Sequence, residues 1–120
     1  MITHEFLADK TLLVVRPEDR LAKGDFEALA EAVDPVIEER GELRGLMIEA
    51  PTFPGWENFE GFVSHMKFVR NHHKDIEKVA LVSDSNIASI APTLAKHFVA
   101  AELRHFPVSE REDALTWLAG

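Results

Sequence analysis

The chain has no cysteine among its 120 residues. That removes disulfides, thiolate nucleophiles and thiolate-bound zinc or iron–sulfur sites together. No apolar run approaches the ~20 residues a bilayer-spanning helix needs. The opening residues carry Glu5, Asp9 and Lys10, unlike a secretory leader, so the expected location is the cytoplasm. Positive charge is also scarce: 13 Lys and Arg face 21 Asp and Glu, a net of −8. No run of Lys or Arg forms a stripe, so most of this surface would repel a nucleic-acid backbone. The acidity itself reads as solubility. Internal repeats, low-complexity tracts and Gly/Ser linkers are missing too, which leaves one domain over residues 1–120 as the expectation.

What is present is ordinary globular composition, with 46% hydrophobic and 28% charged residues. A chain of this length buries roughly two-thirds of its unfolded surface and needs no staples. Residues 2–7 and 11–16 are extended runs separated by Ala8-Asp9-Lys10, which reads as a hairpin. The second run holds Leu12-Leu13-Val14-Val15, continuously apolar, as in a strand covered on both faces. Asp25 is placed to cap a helix reaching Arg40, with Phe26, Leu29, Ala30, Val33 and Ile37 on one stripe. Pro35 lies opposite Phe26 on the helical wheel, where the freed carbonyl of Glu31 can be hydrated, so a bend is expected and not a break. Gly41 ends the helix.

Residues 43–50 form the third expected strand, followed by the stiff loop Pro51-Thr52-Phe53-Pro54-Gly55-Trp56 and a helix over 57–73. Residues 77–83 are the fourth strand, and Asp84 or Ser85 caps a third helix over 85–98 with Pro92 as a kink. Residues 102–106 are the fifth strand. Ser109-Glu110-Arg111-Glu112 has the form of a capping box, opening a last helix that buries Ala114, Leu115 and Leu118. The order ββαβαβαβα predicts an α/β fold: a mostly parallel five-stranded sheet with helices packed on it and an antiparallel first strand.

Several stretches carry a resemblance. They are Gly24-Asp25-Phe26-Glu27-Ala28-Leu29, Met66-Lys67-Phe68, the run from Ile76 to Asp84, Phe98, Ala101-Glu102-Leu103-Arg104-His105-Phe106 and Ala114-Leu115-Thr116-Trp117-Leu118. In this order and spacing the chain resembles the bacterial SpoIIAA-like family, whose fold is similar to that of the anti-sigma-factor antagonists (the STAS fold). The resemblance implies the fold above and little chemistry. In STAS antagonists a Ser or Thr at the start of the helix after the third strand is phosphorylated. Here Thr52 is the single hydroxyl of that loop, and the small Asp-Ser-Ser-Gly-like motif is missing. Ser83-Asp84-Ser85-Asn86 has the residue types but follows the fourth strand, so the phospho-switch is not carried over. The fold also resembles that of lipid carriers of the CRAL-TRIO type, which implies an apolar ligand.

Ligands of parallel sheets gather at the carboxyl ends of the strands. There Phe53 and Trp56, held between two prolines and a glycine, continue into Phe59, Phe62 and Met66 of the next helix. These five are the expected ligand-binding residues, for an apolar small molecule or lipid. A rigid turn that seals the core uses the same residues. Phe68 lies on the opposite side of that helix beside Gly61, His65 and His72, a patch suited to a protein contact such as a homodimer, or simply an exposed aromatic. Glu49 ends the third strand and Arg16 the second; if these strands are neighbours, the two charges meet at the ligand edge, either as a structural ion pair or around a general base.

No catalytic residue, metal ligand set or cofactor is assigned. GxGxxG, Walker, GxSxG and HExxH motifs do not occur, and His65 and His72 stand ~10.5 Å apart along an ideal helix. Peripheral membrane contact through Phe53 and Trp56 would have no help from charge. The leading expectation is a non-catalytic binding domain, and its alternative is a dimeric interaction module.

Overall fold

A computed structural model of the chain describes residues 2–7, 11–17, 22–41, 43–50, 76–84 and 102–120. Five strands form one sheet in the order of the sequence: β1 (Ile2–Leu7), β2 (Leu12–Pro17), β3 (Leu43–Glu49), β4 (Ile76–Val82) and β5 (Glu102–Phe106). β1 pairs antiparallel with β2, Leu7 facing Leu12 and Ile2 facing Pro17; the other three pairings are parallel. The mostly parallel sheet with one antiparallel edge is as the sequence predicts. β3 lies at its centre.

Two helices are described, α1 (Lys23–Arg40) and α2 (Arg111–Ala119). Alternation along the strands separates the core into two layers. Leu13, Val15, Leu46, Val79 and Leu81 face α1 and meet Phe26, Leu29, Val33 and Val36. Leu12, Val14, Met47, Ala80, Val82 and Phe106 face α2 and meet Ala114 and Leu118. The uninterrupted apolar run of β2 is thereby explained, since Leu12 to Val15 are all buried and point alternately to the two helices. Val36 joins the α1 stripe next to the expected Ile37, which is only partly buried.

α1 runs through Pro35 without a break, because Pro35 is on the exposed side. Gly41 closes the helix with φ +87°, a left-handed conformation that glycine adopts at no steric cost, and its N–H donates to the Ile37 carbonyl. The start differs from expectation. Ala22 is the N-cap, and Asp25, the third helical residue, accepts the Ala22 N–H on Oδ2 at 2.8 Å. Its carboxylate satisfies a backbone donor from inside the first turn, where the helix dipole also favours a negative charge.

The expected capping box at Ser109 is also absent. A 3-10 turn over Val108–Glu110 precedes α2, whose N-cap is Glu110, with no side-chain cap bond. The Val108 N–H donates instead to Asp84 Oδ1, 3.1 Å away at the end of β4. Asp84 thus caps this turn from the end of the neighbouring strand; the helix start that Asp84 or Ser85 is expected to cap lies outside the described residues. The expected helices over 57–73 and 85–98 lie outside the described residues.

α2 sits very close to the sheet. A Cβ on Gly45 would stand 2.8 Å from Leu118 Cδ2 and 3.0 Å from Leu12 Cδ2, so the missing side chain is what admits Leu118. The helix has only nine residues and its ends are tied down. Arg44 Nη1 donates to the Ala119 carbonyl and Lys78 Nζ to the Trp117 carbonyl, each at 3.1 Å. Both cations thus meet the negative end of the helix dipole. Lys78 also lies over the Trp117 ring, 5.4 Å from its centroid, with Arg104 5.8 Å from the same ring.

Candidate functional site

The carboxyl ends of β2, β3 and β4 lie along one edge of the sheet, together with the start of α2. Chain direction alone puts them there: three parallel strands must end on the same side. β3 leaves the sheet at Ala50, which is buried and whose N–H still donates to the Val82 carbonyl at 2.9 Å. β3 therefore ends at the middle of this edge.

Alternation sends Arg16 of β2 and Glu49 of β3 to the α2 face, level with the first residue of α2. Glu49, 16% exposed at its side chain, receives two guanidinium groups. Arg16 Nε donates to Oε1 at 3.0 Å, and Arg111 Nε donates to Oε2 at 2.9 Å. Each arginine has a second, looser carboxylate: Glu5 lies 3.6 Å from Arg16 Nη2, and Glu112 lies 3.6 Å from Arg111 Nη1. Those outer carboxylates are 51% and 87% exposed, so water screens them strongly. The inner pairs are better shielded and share one acceptor. The result is a chain of five charges drawn from four elements, with Glu49 at its centre.

The expected meeting of Arg16 and Glu49 is thus present in the structure as a hydrogen-bonded ion pair. Arg111 was missed, because its link to Glu49 spans 62 positions and no local pattern encodes it. A signal was there, however. It was a weak one: Arg111 is a cation at the positive end of a helix dipole, but Glu110, Glu112 and Asp113 beside it are nearer partners in sequence than Glu49.

Beside this cluster the ends of β4 and β5 are locked together. Ser83 is fully buried; its N–H donates to the Phe106 carbonyl at 3.1 Å, and its own carbonyl accepts from His105 Nε2 at 2.8 Å. That bond assigns the ring proton to Nε2 when the imidazole is neutral. No nucleophile stands against Glu49 among the described residues, and no three His, Cys, Asp or Glu side chains there gather as a metal site. The edge is built to hold charge in place, and its described groups offer no paired acid and base for catalysis.

Most residues singled out from the sequence are not on this map. The expected ligand-binding residues Phe53, Trp56, Phe59, Phe62 and Met66 lie outside the described residues. So do Gly61, His65, Phe68 and His72 of the expected contact patch, and Thr52. Among the described residues no helix is long and apolar enough to cross a membrane.

Comparison with known proteins supplies the family. No curated protein matches the chain. Its fold is similar to the crystal structure of an uncharacterized protein from the DUF3478 family with a SpoIIAA-like fold, from Shewanella loihica PV-4. The two share 19% sequence identity with a TM-score of 0.75, over 98% of this chain and 93% of that one. The SpoIIAA-like family model matches residues 12–119, from the start of β2 to the end of α2. The chain belongs to the SpoIIAA-like family.

Proposed function

We propose that this SpoIIAA-like domain, spanning residues 1–120, is a non-catalytic cytoplasmic module that binds an apolar small molecule or lipid at the carboxyl edge of its sheet. The observation that carries the reading is the position of Ala50. The central strand ends there, buried and hydrogen-bonded to Val82, and the sequence that follows brings Phe53, Trp56, Phe59, Phe62 and Met66 in quick succession. Five large apolar residues that follow in sequence a strand ending at the centre of this edge suit a pocket more than a solvated crossover. Pro51, Pro54 and Gly55 stiffen the entry.

The test is uptake of a fluorescent fatty-acid probe by the wild type and by Phe62→Ala, with circular dichroism confirming that both fold. Weaker uptake by the variant is expected. Equal uptake by the two, or none by the wild type, removes the apolar pocket.

A second reading rests on the grouping of Phe68 with Gly61, His65 and His72 at helical spacing. Here the domain is a dimeric interaction module that works without a phospho-switch. Sedimentation equilibrium distinguishes it: a wild-type dimer that Phe68→Glu converts to a monomer supports this reading, and a wild-type monomer at every concentration sinks it.

A further inference from the structure

We propose that Arg16 and Arg111, held apart and oriented by Glu49, form a binding site for an oxyanion, a carboxylate or a phosphate monoester, at the carboxyl edge of the sheet. The inference goes beyond the apolar-ligand reading and stands on separate residues.

Charge count is the first support. One carboxylate needs one guanidinium to be neutralised, and Glu49 has two at hydrogen-bond distance. The inner group thus carries a surplus of one positive charge inside a chain of net charge −8. With Glu5 and Glu112, each 3.6 Å away and beyond hydrogen-bond range, the five charges sum to −1, so an oxyanion enters only by displacing these two, and both are at least half exposed. An oxyanion that accepts short charge-assisted bonds displaces such partners readily, since loose exposed pairs contribute little.

Donor geometry is the second. Both arginines meet Glu49 through Nε, so their terminal Nη groups make no hydrogen bond among the described residues. The two side chains are 35% and 28% exposed, partly open to solvent. Each guanidinium therefore keeps a fork of N–H donors while its orientation is set by Glu49. Such forks match the paired oxygens of a carboxylate or phosphate.

Placement is the third. Arg111 opens α2, where the helix dipole disfavours a cation and favours an anion. Glu112 and Asp113 of the same turn already face the dipole, and Arg111 stands between them and Glu49. A bound oxyanion would meet the dipole and both guanidiniums together, and it would sit beside the point where the chain leaves β3 at Ala50. A free inorganic anion and the head group of an amphiphile share this chemistry.

The experiment is an NMR titration of the full-length 15N-labelled chain, following the arginine Nε–H signals. Sodium phosphate, acetate and decanoate are added separately at constant ionic strength, with sodium chloride as the control. Saturable shifts of the Arg16 and Arg111 signals in the millimolar range are expected. Arg16→Gln should weaken binding about tenfold or more, as loss of a charge-assisted contact does, while Arg44→Gln at the far end of α2 leaves it unchanged. Phosphate as the tightest ligand identifies a free oxyanion. Decanoate binding well above acetate identifies an amphiphile's head group, and either result supports the site. Shifts that match those in chloride, or that persist in folded Arg16→Gln, overturn it. If the variant does not fold, the wild-type titration against chloride decides. Phosphate binding with no uptake of the fatty-acid probe would retain this site and remove the apolar pocket.

Discussion

On one face of the sheet, α1 lays Phe26, Leu29, Val33 and Val36 against Leu13, Val15, Leu46, Val79 and Leu81, apolar side chains throughout. On the other, α2 buries Ala114 and Leu118 completely and is fastened by Arg111 at one end and by Arg44 and Lys78 at the other. The difference follows from length. Eighteen residues give α1 a stripe of four large buried groups, worth on the order of 1.5–3 kcal/mol each before ordering costs. Nine residues give α2 one buried leucine and one alanine. Area alone does not fix where so short a helix lies, so directional contacts at its ends do. Charged contacts are poor sources of net stability but good sources of position. The candidate edge lies on the charged face: Arg111, which fastens the start of α2, does so through the same Glu49 that holds Arg16.

The comparison breaks most visibly in the dry layer. Leu46, central on β3 and 2% exposed, packs among the α1 stripe. Leu46→Ala removes its transfer free energy and leaves a cavity, at a cost of about 3 kcal/mol. Urea unfolding should show that loss undiminished between low and high salt, since no charge is involved. A loss that shrank sharply with salt would mean that the two faces are not chemically distinct.

A smaller and different effect is expected at the charged rim. Glu49→Gln keeps the shape but leaves Arg16 and Arg111 without their shared anion. Because all three side chains retain some solvent, the cost is about 2 kcal/mol, below that of a fully buried pair. Salt should now matter: the gap between wild type and variant narrows in molar sodium chloride as the surplus charges are screened. A gap that is constant with salt would assign Glu49 a packing role and weaken the case for an electrostatic edge.

These two faces were unequally legible in the sequence. The α1 layer follows from period alone: Phe26, Leu29 and Val33 recur at helical spacing, and Leu12 to Val15 announce a strand covered twice. Gly41 ends α1 for a reason visible in one residue. Arg16 and Glu49 could be paired once their strands were taken as neighbours. The α2 layer resists the same treatment. Asp84 capping the turn at Val108, Lys78 reaching Trp117 and Arg111 reaching Glu49 are contacts across 24, 39 and 62 positions. Local pattern points to a capping box at Ser109, but Ser109 falls inside the 3-10 turn over Val108–Glu110 and α2 starts directly after that turn, at Arg111. Apolar burial is periodic and so can be read along the chain, whereas a single polar contact between distant elements has no period.

The smallest expected effect sharpens this account of α2. Lys78 is half-buried between β3 and β5, its ammonium donating to the Trp117 carbonyl and lying over the Trp117 ring. In Lys78→Met the stem is largely preserved and only the ammonium is removed, so the apolar floor stays filled. Global stability should fall by no more than about 1 kcal/mol, the worth of one charge-assisted bond and a cation–π contact less the desolvation they require. The informative reading is local. Amide hydrogen exchange should accelerate in the last turn of α2 while Ala114 and the central strands keep their protection, because the helix remains anchored through Leu118 in the space left by Gly45 and through Arg111 on Glu49. If exchange instead rises along all of α2, the helix is held as one unit and its two ends are coupled. Unchanged exchange in the last turn would leave Arg44 and its bond to Ala119 as the sufficient anchor of that end.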